Sequence, residues 1–162
     1  MANGLYQTEG IILNRMEVGE ADRILTVFTK EFGMLRLFAR GVRRVSSKLN
    51  KFLNLFSYGR FGFVSGKDTW HLVDAEDLGR FEDGKLETLG HAANFLERFC
   101  RGEGREDGLW EALLTFIKDE DELLFYARSL VALGYLEKAE ISTNSREKLK
   151  KSIDGAIARS QL

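Results

Sequence analysis

The spacing of apolar positions changes part-way along the chain. In the first half they come in short runs separated by turn residues. Gly10 to Leu13 is apolar and β-branched, Arg23 to Thr29 is rich in Ile, Val, Thr and Phe, and a third run covers Met34 to Gly41. Lys30-Glu31-Phe32-Gly33 reads as a hairpin connection between the second and third runs. Two more runs, Tyr58 to Ser65 and Thr69 to Ala75, are joined by a turn at Gly66-Lys67-Asp68. Short strands punctuated in this way predict a small barrel or sandwich.

From Lys85 onward the period becomes helical. Leu86, Leu89, Ala93, Leu96 and Cys100 fall at steps of three and four, which predicts a helix over Lys85 to Arg101. The same spacing recurs at Leu109, Leu113 and Ile117, then at Leu123, Ala127, Leu130 and Val131, and again at Leu149, Ile153, Ala156 and Ile157. Such stripes predict amphipathic helices packed as a bundle. Gly102 to Gly108 reads as a loop, and the acidic run Asp119 to Glu122 as a helix entry favoured by the helix dipole. The expected class is therefore α+β. A β domain over residues 1–79 precedes a helical domain over 80–162, with the boundary near Leu78 to Gly84.

Composition narrows the class without naming a function. The 162 residues are 44% hydrophobic and 30% charged, ordinary for a folded chain. A globule of this size buries enough surface to fold without a metal or cross-link. One cysteine excludes a disulfide framework and any Cys-rich zinc finger within the chain. No apolar run reaches the ~18 residues of a membrane span. The opening Met-Ala-Asn-Gly-Leu-Tyr lacks the basic and apolar regions of a signal peptide. The expected location is the cytoplasm, with no membrane partner.

The net charge of −1 conceals a segregation. Residues 1–67 hold 11 Lys or Arg against 5 Asp or Glu, whereas residues 68–162 hold 13 against 20. No acid occurs between Glu31 and Asp68. This asymmetry fits a polyanionic partner for the basic half, or pairing between the two halves, and charge alone does not decide.

Within the acid-free stretch the third predicted strand alternates. Leu35, Leu37 and Ala39 share one side, and Arg36, Phe38 and Arg40 the other. A basic-aromatic-basic row suits single-stranded nucleic acid, whose bases stack on rings while guanidinium groups neutralise phosphates. The loop that follows, with Arg43, Arg44 and Lys48, is placed to hold a phosphate backbone. A second core face for Phe38, with solvated arginines beside it, is the plainer alternative.

No catalytic constellation emerges, so no enzyme activity and no cofactor are expected. Gly62 to Lys67 is one residue short of a phosphate-binding loop, and Asp68 stands where Ser or Thr would bind magnesium. The histidines His71 and His91, with Cys100, lack further ligands at metal-site spacing. Glu20 and Asp22 precede Arg23 in a short loop and read as partners of that arginine or as turn caps.

Residues 9–49 read EGIILNRMEVGEADRILTVFTKEFGMLRLFARGVRRVSSKL. This segment resembles the N-terminal domain of the bacterial RecO recombination mediators. The resemblance rests on Glu9-Gly10-Ile11, Gly19-Glu20-Ala21-Asp22-Arg23, Phe28-Thr29, Gly33, Ala39-Arg40-Gly41, Arg43-Arg44 and Ser47, in that order. Leu133-Gly134-Tyr135 is similar to the segment that precedes the family's zinc site. The resemblance implies an OB-fold followed by a helical part, and a protein that is not an enzyme. It implies binding of single- and double-stranded DNA, annealing of complementary strands, and help in exchanging SSB for RecA, usually together with RecR. It also implies that Arg40, Arg43 and Arg44 belong to the DNA surface; Arg36, Phe38 and Lys48 join them on local physics. Gly19 to Arg23 reads as a structural signature of the first strand connection.

The pattern departs from the family in one place. Glu137-Lys138-Ala139-Glu140-Ile141 follows Leu136 where many members carry a four-cysteine zinc site. The resemblance is thus to a short, zinc-free form. The family also binds the acidic, Phe-ended tail of SSB, which needs a basic group beside an apolar pocket. Arg98, Arg101 and Arg105 are candidates if the helix carries them on one face, and a solvated face paired with Glu97 or Glu103 is the alternative. A protein-interaction adaptor for an SSB tail or a RecR-like partner, with little DNA affinity, is the rival function.

Overall fold

The computed structural model describes residues 4–79 and 85–160. Five strands come first: β1 (Leu5–Val18), β2 (Asp22–Thr29), β3 (Gly33–Ala39), β4 (Tyr58–Ser65) and β5 (Trp70–Gly79). They close into a barrel in the order β1-β2-β3-β5-β4, every pair antiparallel except β3 with β5. A five-stranded closed barrel followed by helices is an OB-fold with a helical continuation. The third strand alternates as its sequence predicts: Leu35, Leu37 and Ala39 are buried, whereas Met34, Arg36 and Phe38 point outward. Ile12, Leu25, Val27, Leu53, Phe61, Phe63 and Leu72 complete the interior with them. Four rings, Tyr6, Phe32, Phe63 and Trp70, pack together, with centroids 5.2 Å apart for Phe63 and Trp70 and 5.9 Å for Tyr6 and Phe32.

The helices among the described residues are α1 (Leu86–Phe99), α2 (Asp107–Asp119), α3 (Glu122–Ala132), the short α4 (Lys138–Ile141) and α5 (Arg146–Arg159). The strands end at Gly79 and α1 begins at Leu86; residues 80–84, where the expected domain boundary falls, lie outside the described residues. Packing divides the chain later, into compact units Met1–Glu106 and Asp107–Leu162. Helix α1 packs against β1 within the first unit. Beyond it the chain returns to the barrel, where the Gly104 N–H donates to the Phe32 carbonyl at 3.0 Å and Glu103 bridges to Gly33. Gly33 is required there. Its φ is +67°, and a Cβ would lie 2.1 Å from the Gly104 carbonyl oxygen. Cys100, next to this return, is buried, and burial pushes its thiol pKa up.

In the second unit α2 packs on α3 and α3 on α5, around Leu109, Leu113, Phe116, Phe125, Leu130 and Ile153. Asp121 caps α3 by accepting from the Leu124 N–H at 3.1 Å. Its other duty is an ion pair with Arg146 at 2.8 Å. Helix α4, which periodicity does not predict, is held by a capping box between Glu137 and Glu140. Among the described residues no group of three or more His, Cys, Asp or Glu is arranged to hold a metal, and no helix is long and apolar enough to cross a membrane.

Candidate nucleic-acid interface

The strand register builds a continuous apolar row on the outside of the barrel. Met16 pairs with Ile24, Ile24 with Phe38, Phe38 with His71, His71 with Val64, and Val64 with Leu5. Paired residues point to the same side of a sheet, so these six form one outward rung. The Phe38 and His71 rings meet edge to face at 5.6 Å. Phe38 is only half-buried and lies outside the core, so the second-core-face alternative for it does not hold. Single exposed apolar residues are ordinary on a protein surface. Here two exposed ones, Leu5 and Met16, share one barrel level with the half-buried Ile24, Phe38, His71 and Val64.

Cations flank this row on β3. Arg36 lies two residues before Phe38 and Arg40 two after, both exposed and without an ion-pair partner among the described residues. Arg36 also lines a groove of about 710 Å³ on the outer face of β2 and β3, together with Ile24 and Met34. The turn Gly66 to Thr69 and the segment Gly102-Glu103 wall it. Lys67 brings a second exposed cation to the groove. Asp68 and Glu103 are its acids, and Glu103 is engaged by the Trp70 indole N–H at 2.8 Å. Lys67 and His71 are the site residues that sequence reasoning missed, while Trp70 pairs with the buried Leu37 and packs on the core. Only the parallel β3–β5 pairing carries the β4–β5 turn beside Arg36, and no local pattern reveals that pairing.

The basic loop after β3 separates into two kinds of residue. Arg44 is exposed, and its side chain runs alongside Gly41, about one residue from Arg40. Lys48 is exposed further along the same loop. Arg43 is different. Its guanidinium donates to the carbonyls of Gly19 at 3.1 Å and Glu20 at 2.5 Å, and it pairs with Glu17 at 2.8 Å. The Asp22 carboxylate meanwhile accepts from the Gly41 N–H at 2.6 Å, and Arg23 donates to the Asn50 side chain at 2.8 Å. The Gly19-to-Arg23 signature therefore ties the β1–β2 loop to the loop after β3.

The three arginines considered for an acidic tail do not share a helical face. Helix α1 stops at Phe99, Cys100 is extended, and Arg101 and Arg105 lie in the irregular segment beyond. Arg98 remains on α1, 5.2 Å from the centre of the Phe99 ring.

Comparison with known proteins adds the family. Residues 1–81 match the family model for the N-terminal domain of recombination protein O. This chain belongs to the RecO family. Among its relatives, the DNA repair protein RecO of Roseiflexus sp. is 32% identical over 73% of this chain and 43% of its own length. That of Thermoanaerobacter sp. is 27% identical over 94% of this chain and 69% of its own. That of Halalkalibacterium halodurans is 28% identical over 69% and 46%. The chain spans about half the length of most of the curated RecO relatives it matches. The RecO match covers the whole barrel, from β1 to β5.

Proposed function

We propose that this RecO-family chain acts in DNA repair and recombination as a non-catalytic DNA-binding protein. It holds single strands on the outer face of β2, β3 and β5. One observation carries this reading: an apolar and aromatic row flanked by exposed cations, without ion-pair partners among the described residues, on the OB face that binds oligonucleotides in this fold. Bases stack on Phe38 and His71, while Arg36, Arg40, Arg44, Lys48 and Lys67 meet the phosphates. Arg43 supports the surface by bracing its loops. Charge neutralisation lowers repulsion between strands and so favours annealing, for which duplex DNA is the product. The family resemblance supports help in exchanging SSB for RecA, with the SSB tail and RecR as partners.

Binding of a fluorescent single-stranded oligonucleotide across a salt series tests the reading. The parent chain is compared with the double change Arg40→Ala and Arg44→Ala, which leaves the Arg43 brace intact. The reading expects affinity to fall steeply with salt, and the variant to lose affinity and about two units of the salt slope. A parent that fails to bind at low salt overturns it and leaves the adaptor reading, to be tested with an SSB-tail peptide.

A further inference from the structure

We infer that the barrel face holds two DNA strands at once, one along each side of its apolar row. The inference rests on the DNA-binding reading above and adds a second strand site to it. Two separate cation tracks are present. Arg36 and Lys67 line the groove beside the first half of β3, together with the acids Asp68 and Glu103. Arg40 and Arg44 lie at the other end of the strand, where the Arg44 side chain runs along Gly41. Phe38, and through it the row of Ile24 and His71, stands between the tracks. Four residues of strand set the tracks about 13 Å apart along β3, and the row crosses three strands over about 10 Å.

A single strand with its bases flat on the row places its phosphates along one side. It leaves the second track without an anion. Two strands with their bases turned towards each other occupy both tracks and meet over the apolar row. No base-reading groups are needed for this, because the strands read each other. The face would then act as an annealing platform in which each backbone is neutralised by its own pair of cations.

The test counts strands on the full chain. Sedimentation with a short labelled oligothymidylate, about eight nucleotides long to match the site size of one OB barrel, gives strands per chain at saturation. The inference expects two. The double change Arg36→Ala and Lys67→Ala should leave one strand bound, and so should Arg40→Ala with Arg44→Ala. All four side chains are exposed, so thermal unfolding should match the parent. Each variant should bind its remaining strand with reduced total affinity and lose acceleration of annealing between complementary oligonucleotides. One strand per chain in the folded parent, weakened alike by both variants, overturns the two-track inference and leaves DNA binding standing. No bound strand at all overturns both.

Discussion

The Arg43 guanidinium lies 2.8 Å from the Glu17 carboxylate and reaches past it to the carbonyls of Gly19 and Glu20. One side chain thereby joins the end of β1, the β1–β2 loop and the loop after β3. The fork divides the work, Nη1 meeting the Glu17 carboxylate and Nη2 both carbonyls, and a lysine ammonium cannot reproduce it in the same geometry. Arg43→Ala is expected to destabilise the protein by about 1.5–3 kcal/mol, the range for hydrogen bonds to a charged group. Arg43→Lys should recover only part of that. Thermal unfolding of the two variants against the parent decides it. Equal stability of all three would remove the brace and return Arg43 to the DNA surface.

Gly33 carries a second prediction. The left-handed conformation alone costs a non-glycine residue about 1–2 kcal/mol, and the Cβ would also collide with the Gly104 carbonyl. Gly33→Ala should therefore lower stability by more than the conformational term and detach the Gly102–Gly104 segment from the β2–β3 turn. Amide exchange at Gly104, which donates to Phe32, should accelerate in the variant. Unchanged protection there would mean the segment is held by other contacts.

These two residues also mark what the sequence makes legible. Strand alternation exposes Arg36 and Phe38 on one side of β3 because that side is decided locally, by a period of two. The helical stripes are legible for the same reason. Arg43 and Arg44 are adjacent and chemically identical, yet one braces a loop and the other faces solvent. That difference depends on carbonyls more than twenty residues away. Lys67 and His71 escape notice because they reach the face through the β3–β5 pairing, which has no turn signal of its own. The helix expected to run to Arg101 ends at Phe99 because Cys100 turns extended and the chain returns to Gly33, which leaves Arg101 and Arg105 off its face.

Asp121 predicts a pH dependence in the helical unit. The hydrogen bond from Arg146 is the main reason its carboxyl sits below the usual range, and the Leu124 N–H adds to it. The folded state thus binds its proton less tightly than the unfolded chain. The stabilisation is complete above the ordinary Asp value near 4 and is lost as pH falls through the lower folded value. Asp121→Ala should lower stability at neutral pH by about 1 kcal/mol through the lost cap, and should flatten the acid limb of the unfolding profile. Arg146→Ala should flatten that limb and lower neutral stability only by what the limb loses, a small amount because the guanidinium is exposed and the cap remains. An acid limb unaltered in both variants would place the titration elsewhere.

Phe38 and Arg36 separate stacking from charge on the same strand. Phe38→Ala removes a ring but no cation. Single-strand affinity should fall by about 1–3 kcal/mol, the range for a base on an aromatic platform, with the salt slope unchanged. Arg36→Ala removes a cation but no ring, so its slope should become shallower by about one unit and its deficit should shrink as salt rises. The two effects should add on a purine-free oligonucleotide if base and phosphate are held independently. If Phe38→Ala also flattens the slope, the ring is positioning Arg36 or Arg40 rather than stacking. If neither variant alters binding, the strand lies elsewhere on the barrel, and the outward rung from Met16 to Leu5 needs another explanation.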